Sequence, residues 1–175
     1  AGGEQVLHTE CLGRTSSGAP VPCWLAANRL MTDRKVRYVC AFTDLRERKR
    51  LETALQARSA AIEAAAEGIA ITDLNGVIEY VNPALTQITG YAPESLIGQH
   101  TRIFNSGQHD SAFYEELWRT IRAGRAWRGE IVNRRKDGSL YTELMAIAPV
   151  CNEHGDTIRF VAIKHDISVR KRMET

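Results

Sequence analysis

Residues 36–53 read VRYVCAFTDLRERKRLET, and residues 158–175 read IRFVAIKHDISVRKRMET. The chain echoes itself a second time: RTSSG at 14–18 returns as RRKDG at 134–138. The later match is displaced by two further residues, which fit in the turn around residues 152–156. A period of roughly 120 residues is too long for a solenoid repeat and is the size of a small domain. Residues 1–43 therefore read as the C-terminal half of one domain, and residues 68–168 as a whole copy of the same kind. The half copy shows two strand-like runs, too few to close a core alone. It must pair with further chain, pair with another molecule, or stay loosely ordered.

Composition narrows the classes that remain. Among 175 residues, 43% are hydrophobic, 25% are charged and the net charge is +2. That mixture argues against disorder, and so small a charge gives no nucleic-acid footprint. No apolar run reaches the roughly 20 residues a bilayer span needs. The opening AGGEQVLHTE lacks the basic and apolar regions of a signal peptide. A cytoplasmic location is the expectation. Cys11, Cys23, Cys40 and Cys151 form no CxxC and no zinc-ligand spacing. They read as small buried hydrophobes in strands, and no metal site is expected.

Between the copies, residues 44–67 contain no Gly or Pro and are rich in Ala, Leu, Glu and Arg. This predicts a connector helix with Asp44 as N-cap. Leu51, Leu55 and Ile62 form a thin apolar stripe, compatible with either a solvated helix or a weak parallel coiled coil. In the whole copy, alternating runs flank the turn Asp73-Leu74-Asn75-Gly76, a hairpin signal. Pro83 and Gly90 bracket a short helix, and Pro93 opens another turn. Asp110 caps a longer helix that Gly124 stops, with Phe113, Leu117 and Ile121 on one face. Three strands follow, joined by turns at Lys136-Asp137-Gly138 and near residues 153–156. The order predicts an α+β fold with one antiparallel sheet and helices gathered on one face.

These segments resemble a PAS sensory domain with its C-terminal PAC portion. The residues that carry the likeness are GIAITDLNGVIEYVNPALTQITGY, NRRKDGSLYTELMAIAPV and IRFVAIKHDIS. The resemblance implies a five-stranded antiparallel sheet that binds a ligand between itself and the helices, with flanking helices carrying the signal. On that reading residues 1–43 are the PAC half of an upstream domain, 44–67 a helical linker, 68–168 the complete domain and 169–175 the start of an exit helix.

The stretch LWRTIRAGRAWRGEIVNRRKDGSLY is similar to FAD-binding redox-sensing PAS domains, as in nitrogen-fixation regulators, aerotaxis receptors and methane-monooxygenase sensors. The resemblance implies that Trp118 and Asn133 contact the isoalloxazine. Elementary chemistry agrees: a flat apolar tricycle packs on an aromatic, and an amide side chain pairs with both C=O and N–H groups at its edge. Trp118 as ordinary core and Asn133 as a solvated strand residue are the competing readings. Trp127 reads as packing, and Arg134 and Arg135 as solvated turn residues. In the half copy Gly13 stands where Asn133 does, so no flavin is expected there. GQHTRIF at 98–104 places Thr101 where light-sensing LOV domains carry their adduct-forming Cys, and His100 where they carry Asn. The resemblance thus implies His100, Thr101 and Arg102 as further cofactor-binding residues, and an arginine at the mouth suits a pyrophosphate.

Haem is the alternative cofactor, with His109 beside the long helix as axial ligand. A cofactor-free dimerisation module is the third reading. Asp166 in HDIS resembles the acidic residue that ties the last strand to the outgoing helix, a signal-relay position. No nucleophile elbow, P-loop, HExxH or kinase motif set occurs, so the segment itself is not expected to be an enzyme. The implied whole is a bacterial sensor that dimerises through its flanking helices. Its output would be a histidine kinase, a diguanylate cyclase or a chemoreceptor domain.

Overall fold

The computed structural model describes residues 6–32 and 35–174. The first five residues, residues 33–34 and the last residue of the repeated tail lie outside them. The chain divides into two compact units, Ala1–Ser59 and Ala60–Thr175.

The first unit holds an antiparallel sheet in the order β1 (Val6–Arg14), β2 (Pro20–Thr32), β3 (Lys35–Asp44). The sequence suggested two strands. Val6–Arg14 is a third, and its polar run His8-Thr9-Glu10 hides the alternation on which such a reading depends. All of β3 is exposed, including Tyr38, Val39 and Phe42. The cysteines also correct the expectation. Cys23 is buried and Cys11 half-buried, whereas Cys40 and Cys151 are exposed. Cys40 lies on the uncovered β3, and Cys151 ends a strand at a turn.

Helix α1 (Arg46–Glu63) follows and buries none of its residues. Asp44 ends β3 rather than occupying the cap position itself. Its carboxylate still accepts from the Arg46 backbone N–H at 2.9 Å, satisfying one of the helix's free donors.

The second unit contains a five-stranded antiparallel sheet in the order β5-β4-β8-β7-β6. Its strands are β4 (Gly68–Thr72), β5 (Ile78–Val81), β6 (Trp127–Arg134), β7 (Leu140–Cys151) and β8 (Thr157–Asp166). The hairpin between β4 and β5 turns where expected. Asp73 Oδ1 accepts from Asn75 N and Val77 N, and Gly76 takes φ +81°, a conformation glycine adopts at no steric cost. Helices α2 (Pro83–Thr89), α3 (Pro93–Leu96) and α4 (Ser111–Arg122), with a 3₁₀ turn at Thr101–Phe104, connect β5 to β6. Asp110 caps α4 by accepting from Phe113 N at 2.9 Å.

Asn82 is a fully buried hub. Its oxygen accepts from Ile69 N and Leu85 N, and its amide donates to the carbonyls of Ile62 and Glu67. One side chain thus ties the end of α1 to β4 and α2. The core lies between the sheet and α4, where Leu117, Ile121, Ile131, Met145 and Phe160 meet. Short helix α5 (Ser168–Met173) leaves the last strand.

Candidate functional site

Alternation in β6, β7 and β8 sends one row of side chains from each strand toward the helices. On β6 that row includes Ile131 and Asn133, on β7 Glu143, Met145 and Ile147, and on β8 Phe160, Ala162 and Lys164. Between them and α4 lies a cavity of about 240 Å³. Its walls are mostly apolar, with His100, Thr101, Arg102, Asn133 and Lys164 among the polar groups lining it.

Trp118 lines the cavity from α4 and is held on several sides. Phe160 meets it edge-on at 6.2 Å, and the Arg122 guanidinium lies 4.9 Å from its ring centre. A Cβ on Gly76 would come within 2.7 Å of its ring. The hairpin glycine therefore serves both the turn and the seat of this tryptophan. Trp127 packs instead, edge-on to Phe113 at 5.7 Å and folded over Gly129.

Asn133 is 4% exposed, so it is not a solvated strand residue. Its Nδ2 donates to Glu143 Oε1 at 2.9 Å, and the residue forms part of the cavity wall. The same Glu143 oxygen accepts from Lys164 Nζ at 2.7 Å. The other oxygen, Oε2, is buried without a partner, as is the hydroxyl of neighbouring Tyr141. Burial and the Glu143 carboxylate push the Tyr141 phenol well above its ordinary value.

Sequence reasoning missed Glu143 and Lys164 as members of this group. The signal was present in the strand phase. Glu143 shares its parity with Tyr141, Met145 and Ile147, and Lys164 with Phe160 and Ala162, so each charge sits on an inward position.

His100, Thr101 and Arg102 reach the cavity on the loop before and within the 3₁₀ turn. Bridges pair Val77 with His100 and Asn105 with Asn133, pinning that segment to the hairpin and to β6. Thr101 N donates to Gly76 O at 2.9 Å. Burial, and then the Arg102 charge beside it, hold the His100 imidazole below its ordinary value. Arg102 is exposed at the rim. His109 stands elsewhere: it stacks on Phe113 at 4.2 Å, and its Nε2 accepts from Val132 N at 2.9 Å. That nitrogen is already engaged, and His109 is not part of the cavity wall. His165 is exposed.

Asp166 lies outside the cavity at the end of β8. Its Oδ1 accepts from Ser168 N at 2.9 Å and its Oδ2 from Arg135 at 2.6 Å. These bonds hold the carboxyl below its ordinary value although partial burial opposes them. Arg135 is accordingly not a solvated turn residue. It is three-quarters buried and lies 4.3 Å from the Tyr141 ring centre. Its position two residues beyond Asn133 on the outgoing turn brings it over the β7–β8 end of the sheet.

The profile of the PAS fold matches residues 56–167. The chain belongs to the PAS family. Its PAS domain is 37% identical over 113 residues to a nitrogen fixation regulatory protein of Klebsiella oxytoca. That match covers 65% of this chain and 23% of the relative, so the chain spans about a quarter of that protein's length. A PAS domain from Colwellia psychrerythraea superposes with a TM-score of 0.62 at 26% identity, covering 67% of this chain and 99% of that one. The LOV domain of a blue-light activated histidine kinase from Erythrobacter litoralis superposes at 0.55 and 27% identity, covering 58% of this chain and 96% of that one. The PAS assignment and the five-stranded sheet agree with the sequence expectation. No helix among the described residues is long and apolar enough to cross a membrane.

Proposed function

We propose that this PAS domain is the input module of a bacterial signal-transduction protein and senses redox state or oxygen through non-covalently bound FAD. Asn133 carries the reading: a buried amide in the wall of a mostly apolar cavity, whose NH₂ is engaged by Glu143 and whose oxygen is left to accept. Such a group suits a flat heterocycle with an N–H at its edge. Trp118 supplies an aromatic wall. At about 240 Å³ the cavity lies just below the range of roughly 300–1,000 Å³ usual for ligand pockets, which suits a ring system alone. The phosphates of FAD would remain outside, with Arg102 at the rim to meet them. When bound, FAD supplies reversible two-electron chemistry, and the protein's groups position it and tune its potential. Likeness to a nitrogen fixation regulatory protein and to a LOV domain supports a flavin. No cysteine lies in the cavity wall, so thiol-adduct photochemistry is not part of the proposal.

The relay we infer runs through the flanking helices. Asn82 ties the last turn of α1 to the sheet, and Asp166 ties β8 to α5. Leu51 and Leu55 of α1 are 64% and 69% exposed, which supports a homodimer through these helices. Residues 1–43 are, on this reading, the C-terminal half of an upstream PAS domain, because their strands repeat the register of β6–β8. The output domain lies in the same parent chain, and the segment acts in the cytoplasm.

An absorption spectrum tests the proposal. Flavin bands that bleach with dithionite are expected after reconstitution with FAD. A Soret band would favour the haem alternative, and a colourless protein that takes up neither would favour the cofactor-free dimerisation module.

A further inference from the structure

Lys164 and Glu143 form the one ion pair among the described residues with both side chains buried, at 5% and 0% exposure. Desolvating two such charges costs several kcal/mol per ion, and well-packed apolar residues often serve stability as well or better. The pair is also polarised. Lys164 belongs to the cavity wall, whereas Glu143 lies behind it. The ammonium stands 4.9 Å from the centre of the Phe104 ring, and Glu143 holds it through the oxygen that also anchors Asn133. A ligand in the cavity therefore meets the positive end of the pair. Arg102, the other cation of the wall, is exposed to solvent and screened.

We propose that Lys164, backed by Glu143, is the residue that sets which redox form of the ligand this cavity prefers. The ligand class is a ring system that becomes anionic on reduction. This rests on the flavin reading above and deepens it. A flavin that takes two electrons from a reductant and one proton from solvent gains one negative charge, and the reductant loses the same two electrons. A fixed cation in a low-dielectric wall stabilises that added charge and raises the potential. The oxidised ring is neutral there, so its affinity depends little on Lys164.

The test is a reductive titration of the FAD-reconstituted chain with dithionite and a reference dye. Lys164→Met combined with Glu143→Gln leaves no unpaired buried charge. Its preference for reduced over oxidised FAD should fall at least tenfold, about 30 mV for a two-electron couple. The potential is read on FAD-saturated protein, and Lys164→Arg should hold it near that of the parent. A second measurement needs no variant. The parent's potential should fall by about 30 mV per pH unit between pH 6 and 8, one proton per two electrons. A slope near 59 mV per pH unit, or an unchanged potential in the double variant, overturns this inference and leaves the flavin reading standing. A parent chain that takes up no FAD overturns both.

Discussion

The chain contains the same three strands twice, once bare and once furnished with a site. Gly13 pairs with Val21 as Asn133 pairs with Tyr141, and Cys23 pairs with Asp44 as Glu143 pairs with Asp166. Leu45 N donates to Pro22 O just as Ile167 N donates to Thr142 O, and both Leu45 and Ile167 are buried. Asp44 and Asp166 each accept from the backbone N–H two residues on. Register and helix exit are therefore common to both copies. The polar cluster is not. Where the second copy has Asn133, Glu143 and Lys164, the first has Gly13, Cys23 and Phe42. The exit geometry is common to both copies, whereas the cluster occurs in one copy alone and carries a cost in desolvated charge.

The largest expected effect comes from breaking that cluster on one side. Lys164→Met leaves a carboxylate buried at 0% exposure and should lower stability by about 3–5 kcal/mol, read by urea denaturation. Giving the second copy both residues of the first, Lys164→Phe with Glu143→Cys, should recover most of that loss. Recovery would show that the pair is kept for the ligand; a double variant as unstable as the single one would show that it holds the sheet together.

Next in size are the turn glycines. Gly138 and its counterpart Gly18 have positive φ and open space around them, so replacement by Ala meets only backbone strain, about 1–2 kcal/mol. At Gly76 the new Cβ would also collide with Trp118. Gly76→Ala should cost at least about 1 kcal/mol more than Gly138→Ala by thermal unfolding. It should also weaken FAD binding, which Gly138→Ala should leave unchanged. Equal effects would remove Trp118 from the site.

The smallest effect concerns the shared aspartate. Asp166→Asn loses the ion pair with Arg135 but keeps an acceptor for Ser168 N, and should cost about 0.5–1 kcal/mol at neutral pH. The folded-state value of Asp166 is depressed, so its contribution is present above the unfolded value of about 3.9 and is lost as pH falls through the folded value. The parent and the Asp166→Asn variant should therefore converge in stability as pH falls from about 3.9 through the folded-state value. A gap that persists there would mean that the carboxylate's charge is not what ties β8 to α5.

Legibility in the sequence followed the range of the interaction. The Asp73–Gly76 turn, the Asp110 cap and the face of α4 are local, and each was readable from neighbouring residues. Trp118 and Asn133 were nameable through the resemblance to FAD-binding redox-sensing PAS domains, which implies them as flavin contacts. Glu143 and Lys164 escaped because a charge in an alternating strand looks like the solvent face until its parity is counted. Arg135 escaped because its partner is thirty-one residues away.

The repeat was legible as a direct match between two stretches of sequence, and the alternation of β4–β8 and the places where the chain turns were legible because they depend on residues within a few positions of one another. The tertiary structure alone decided that a carboxylate on β7 receives an amide from β6 and an ammonium from β8. Alternation says which face a side chain takes; only the strand order β8-β7-β6 and its register say whom it meets there. The cavity belongs to the same category, since it is the space left when α4 closes over that face.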